Sequence, residues 1–159
     1  EGVYKNANDK PVVRFFEGKE GIENIYRAHI EGNMPYEMLA LSNTVHLLPQ
    51  LSMGFKEYYA RGKAGSGITT RAIVPHTEEL DTDLFTFYKD VPQKYWPKVG
   101  YLPQDEFTFD AELTLFDKNK VSIVNFKEPH FSGTIIEDKT IYDMFKLFFD
   151  LVWRNQKSE

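Results

Sequence analysis

FTFDAELTLFDKNKVSIVNF, Phe107–Phe126, is the stretch that sets the architecture. From Phe107 to Phe116 apolar and polar residues alternate, the period of a half-buried strand. Asp117-Lys118-Asn119-Lys120 has hairpin-turn composition, and Val121–Phe126 is the partner strand. Downstream, Ser132–Ile136 reads as a third strand, and Asp138 or Thr140 caps a last helix ending near Gln156. Upstream, Val12–Phe16 is a short β-branched and aromatic strand. Ile22, Ile25, Tyr26, His29 and Ile30 then form one apolar helical face. Glu37–Ser42 reads as a strand, Val45–Arg61 as one helix with Pro49 in its first turn, and Gly67–Val74 as a strand. Thr77–Tyr88 follows as a helix with an acidic start. The proline-bearing connector 89–105 has room for a short strand at Val99–Leu102. The order predicts an α/β fold: a mixed β-sheet flanked by helices, antiparallel in its last strands. Residues 12–156 form the expected single domain, between a polar tail at 1–11 and a tail at 157–159.

Composition excludes several classes. Among 159 residues, 42% are hydrophobic, 15% aromatic and 27% charged, which supports a packed core and argues against disorder or a coiled coil. Without cysteine there is no disulfide framework and no thiolate metal site. A net charge of −5 argues against a strong phosphate-binding surface. No window reaches 18 uncharged apolar residues, and the start EGVYKNANDKP is polar, so neither a membrane span nor a signal peptide is expected. The first residue is not Met, as in a processed or partial chain.

No catalytic motif is complete. His29, His46, His76 and His130 lack zinc-helix spacing, Gly65-Ser66-Gly67 completes neither a Walker loop nor a dinucleotide fingerprint, and no metal site or cofactor is expected. Asp110 and Glu112 are two apart and share a strand face, as an acid pair, a polyol or cation contact, or a solvated face near Arg71 or Lys120. Arg14 and Arg71 each interrupt an apolar strand, so each needs a carboxylate or a bound anion. In the last helix only Asp143, Lys146 and Asp150 are polar between Ile141 and Trp153, which predicts burial on most sides. Part of it, with Phe149 and Trp153, is the candidate contact with a second subunit or further domain.

VVRFFEGKEGIENIY (Val12–Tyr26), GITTRAIVP (Gly67–Pro75), Tyr101–Glu128 and SGTIIEDKTIYDMFKLFFDLVW (Ser132–Trp153) together resemble the effector domain of TrmB-type transcription regulators. The resemblance covers nearly the whole chain after residue 11. It implies a domain similar to half of a phospholipase D-like fold. It also implies a homodimer, cytoplasmic and off the membrane, that reaches DNA only through an N-terminal winged helix lying outside this chain. Phospholipase D enzymes use HxKxxxxD. Aligned on Asp117, this chain has Asp110 where the nucleophilic His belongs and Glu112 where the phosphate-holding Lys belongs. Carboxylates repel a phosphodiester, so the implied domain is catalytically inactive. Sugar-responsive members carry a further sugar-binding domain, so that function does not transfer. The expected role is regulatory, with a small-molecule effector in a cleft near Arg14, Arg71, Asp110 and Glu112. The alternatives are an enzyme with redeployed carboxylates and a ligand-free protein-interaction module.

Overall fold

The computed structural model describes residues 10–32 and 34–156, so the expected tails lie almost wholly outside it, as does Asn33. Seven strands form one sheet: β1 Val12–Glu17, β2 Glu37–Ser42, β3 Thr69–Pro75, β4 Lys98–Leu102, β5 Ala111–Phe116, β6 Lys120–Asn125 and β7 Ser132–Glu137. Their spatial order is β1-β7-β6-β5-β2-β3-β4. β2, β3 and β4 run parallel, and the pairings from β2 through β5, β6 and β7 to β1 are antiparallel. The mixed α/β sheet is therefore as the sequence predicts.

Among the described residues five α-helices complete the fold: α1 Gly18–Ile30, α2 Thr44–Leu47, α3 Met53–Gly65, α4 Glu78–Tyr88 and α5 Lys139–Asn155. Parallel strands need crossover connections, and crossovers of one hand place their helices on one face. On that face Ile22, Ile25 and Tyr26 of α1 and Phe55 of α3 pack on Met38, Phe116, Val124 and Ile135. Gly133 lets α1 approach: a Cβ there would lie 2.3 Å from Ile25 Cδ1 and 3.2 Å from the Ile123 carbonyl oxygen. α5 covers the opposite face, where Tyr142 and Phe149 meet Leu39, Ile73, Leu115 and Val121. The pleat alternates accordingly, with Glu112, Thr114 and Phe116 toward α1 and α3, and Leu113 and Leu115 toward α5.

Three expectations need correction. The single helix Val45–Arg61 is α2, a 3-10 turn at Leu48–Gln50, and α3. Leu51 is extended (φ −105°, ψ 134°), and Ser52 restarts the helix by accepting the Phe55 N–H at 3.2 Å. The strand expected from Phe107 begins only at Ala111, because residues 107–110 are bound as a loop. There the Phe109 carbonyl accepts from Asn43 Nδ2 (3.0 Å) and the Asp110 carbonyl from Phe126 N–H (2.9 Å). Finally, α5 is not enclosed. Only Tyr142 and Phe149 are buried, while Met144, Leu147, Phe148 and Leu151 stand open to solvent, because nothing among the described residues packs outside this layer.

Candidate functional site

Beneath α2, α3 and α4, against β2, β3 and β5, lies a cavity of about 120 Å³. Its walls are mostly apolar, with Met38, Leu47, Phe55, Val74, Leu80 and Phe87 among them. Polar side chains line it as well: Thr44, Lys56, Thr70 and Thr114, and three that bear on its chemistry, Ser42 from the end of β2, Lys63 from the last turn of α3, and Glu112 from β5. All three are less than 9% exposed.

Glu112 Oε1 accepts from Tyr26 Oη at 2.9 Å and from Thr114 Oγ1 at 3.1 Å. Burial pushes its pKa up, and the nearby hydroxyls of Ser42, Tyr26 and Thr114, with the Lys63 charge, offset only part of that. Ser42 Oγ lies near this carboxylate without completing a hydrogen bond. Lys63 Nζ donates to Thr70 Oγ1 at 3.1 Å and rests on the ring faces of Tyr59 and Tyr88, at 5.1 and 5.2 Å. Beside the cavity, His29 is sealed in with Tyr59 Oη 2.8 Å from Nδ1 and Ser122 Oγ 2.9 Å from Nε2. Burial, helped by the Lys63 charge, lowers its pKa to about 3, so this ring is neutral.

The four residues expected to share a cleft do not share one. Glu112 alone enters the cavity. Asp110, just before β5, pairs with His46 of α2 at 2.5 Å in a half-exposed position. Arg71 emerges on the α5 face, where its Nη2 reaches Glu37 at 2.8 Å and Asp150 at 3.5 Å. Its guanidinium also lies over Phe149 and Trp153, at 5.5 and 5.2 Å. Arg71 thus has the carboxylate partners that its place in a strand demanded. Burial would raise Asp150, but Lys146 and Arg71 outweigh it and hold that carboxyl below the usual range. Arg14 sits on edge strand β1, three strands from β5 and so about 14 Å away. It lies over the Phe16 ring at 5.9 Å. Of the two candidate interface residues, Phe149 is buried against the sheet and Trp153 is half-buried and stacked on it at 5.8 Å.

The acids aligned with HxKxxxxD are equally dispersed. Asp117 lies beyond the far end of β5 in the hairpin turn, about 20 Å along the chain from Asp110. There it accepts from Lys120 Nζ at 2.6 Å. Among the described residues no three metal-ligating side chains cluster, and no helix is long and apolar enough to cross a membrane.

Sequence reading missed Lys63 and Ser42. A signal for Lys63 was present: Phe55, Tyr59 and Lys63 follow at intervals of four, so the lysine extends the helix's inward stripe.

The sheet order and the division of helices between its faces define a phospholipase D-like α/β fold. No family model matches the chain, and no characterised protein matches it by sequence. Solved structures do match. TrmBL2, an archaeal chromatin protein with a novel mode of DNA binding, superposes with a TM-score of 0.63 at 13% identity. That match covers 93% of this chain, which spans 55% of the TrmBL2 chain. Nuc from Salmonella typhimurium, a phospholipase D family member, gives 0.61 at 11% identity over 94% of this chain and 99% of its own. NucT from Helicobacter pylori gives 0.60 at 10% identity over 94% and 100%. At such identities the likeness is one of fold.

Proposed function

We propose that this chain is the regulatory and dimerisation domain of a TrmB-type transcription regulator, built on a catalytically silent phospholipase D-like scaffold. The observation that carries the reading is the fate of the catalytic positions. The residue aligned with the nucleophile is a carboxylate paired to His46, and the residue aligned with the phosphate-holding lysine is a carboxylate sealed beneath the helices. Neither supplies a nucleophilic imidazole or a cation for a phosphodiester. The likeness to TrmBL2, and the share of that chain left unmatched, favour a longer protein in which a separate winged-helix part reads DNA. In such a protein this domain sets the spacing of two reading heads, and an effector acts by favouring one spacing. The location is then cytoplasmic.

The test uses the complete reading frame. The full-length protein should shift duplex DNA as a dimer, and this domain alone should not. Turnover of bis(p-nitrophenyl) phosphate by the domain, lost in Asp110→Asn, would replace the regulatory reading with an enzymatic one. A full-length protein lacking any DNA-binding segment would also end it.

A further inference from the structure

Lys63 is a buried cation without a carboxylate. Its side chain is 4% exposed, and none of the ion pairs among the described residues includes it. An ammonium has three donors, and Thr70 takes one. The neighbouring acid Glu112 does not complete the set: the Lys63 charge acts on it at a distance, but its hydrogen bonds come from Tyr26 and Thr114 and no ion pair joins the two. A buried charge left in this state is costly unless something else completes its shell. Ser42 Oγ, also buried and lining the same cavity, lacks a hydrogen bond too. Apart from Lys56 and the hydroxyls of Thr44, Thr70 and Thr114, the rest of the wall is aliphatic and aromatic. Such a space suits one small amphipathic molecule: an anionic head for the lysine and an apolar body for the walls. An apolar cavity of about 150 Å³ accepts benzene, so about 120 Å³ accommodates roughly five or six non-hydrogen atoms.

We propose that this cavity is the domain's ligand site and that it takes a short-chain monocarboxylate of about three or four carbons. Its carboxylate sits on Lys63 Nζ, and its alkyl chain lies along Met38, Leu47, Phe55, Val74 and Leu80. An anion is favoured over an amine because Glu112 Oε1 already accepts two hydrogen bonds, whereas the Lys63 ammonium has one acceptor for its three donors. The inference deepens the effector reading, and its test separates the two.

Sodium butyrate and butylammonium chloride are titrated into the chain carrying ¹³C-methyl methionine. Butyrate should move the Met38 methyl resonance saturably, leave that of Met144 on the opposite face unmoved, and raise the melting temperature. Butylammonium should do none of this. Lys63→Met should weaken butyrate binding at least tenfold. Because that variant removes a buried group and can disturb folding, Ala72→Leu, at a β3 residue that also lines the cavity, provides a second test by filling the space with Lys63 intact, and it should abolish the Met38 shift. Equal binding of the amine, full binding by a folded Lys63→Met, or no Met38 shift at ~10 mM butyrate overturns the inference. Each of those results leaves the regulatory reading to its own DNA-binding test. Butyrate that binds the domain yet leaves the DNA affinity of the full-length protein unchanged supports the site and removes the effector role.

Discussion

His29 shows how one buried side chain sets a pH response. Tyr59, Ser122, Tyr26 and Lys63 surround the ring, and none offers an anion to an imidazolium. Its folded pKa of about 3 lies below the ordinary unfolded value near 6.5. Between those values the unfolded chain binds a proton that the folded chain refuses. The contribution of His29 is therefore complete above pH 6.5 and is lost as pH falls toward 3, with a slope of up to about 1.4 kcal/mol per unit. Glu112 works in the opposite sense, since its raised pKa lets the folded state take up a proton first as pH falls. Urea unfolding followed by fluorescence should show stability dropping from pH 6.5 to 4.5, and His29→Gln should flatten that drop. An unchanged slope would show that other groups control it. Arg71 is a second lever. It joins Glu37, Asp150, Phe149 and Trp153 in one contact on the α5 face. Arg71→Met keeps most of the packing volume but leaves Asp150 with Lys146 alone. The expected cost is about 1–2 kcal/mol, read as a lower urea midpoint with altered Trp153 emission. A midpoint equal to wild type would show that the contact is neutral.

Elements differed in how far the sequence disclosed them. The β5–β6 hairpin was legible because strict alternation and a polar turn coincide there. Alternation also contained the inward placement of Glu112, two and four residues before Thr114 and Phe116 on the same face, although the acid alone suggests solvent. The break between α2 and α3 was not legible, since Pro49 is tolerated in a first turn and the leucines around it continue a helical stripe. Strand β5 was extended too far because Phe107 is buried as a loop residue, with the same signature as a strand residue. Lys63 is not legible as a site residue, because a lysine on a helix ordinarily marks the solvent side. The cleft itself was beyond sequence, because which strand neighbours which decides whether Arg14 and Glu112 can meet. The hairpin turn also carries a prediction. Asp117 and Lys118 have φ of +50° and +64°, both left-handed, in the three-residue loop 117–119 that joins the paired Phe116 and Lys120. Aspartate tolerates that region better than lysine does. Lys118→Gly should relieve the strain by more than glycine's added unfolded-state freedom costs, for a net gain of about 0.5 kcal/mol. Thermal denaturation of that variant decides it, and a lower melting temperature would mean that the Lys118 side chain makes a compensating contact.

At the scale of the whole molecule the unfinished surface is the outer side of α5. Met144, Leu147, Phe148 and Leu151 recur at i, i+3, i+4 and i+7, a complete apolar stripe, and are 43–54% exposed. The inner stripe, with Tyr142 and Phe149, is already spent on the sheet. Among the described residues only the inner face has a partner, and an exposed apolar patch of this kind marks an interaction surface. Salt bridges Lys139–Asp143 and Lys146–Asp150 neutralise charge along the same helix, which lowers the repulsion between two copies brought together. A two-fold contact would set the stripe against itself, apolar on apolar, without requiring a second complementary site elsewhere. Such a contact would use the outward neighbours, one or two positions away, of Phe149 and Trp153, the contact residues expected from sequence. Sedimentation equilibrium on this chain should give about twice the protomer mass. The double substitution Leu147→Glu and Phe148→Glu should give the protomer mass, with unchanged circular dichroism and a stability change of about 0.5 kcal/mol or less, because both side chains face outward. A wild-type chain that sediments as a monomer would assign the stripe to another segment of a longer protein and would remove dimerisation from the role of this domain. A double variant that remains dimeric would move the two-fold contact elsewhere, to the neighbouring sheet edge where Val13 and Phe15 of β1 are also exposed.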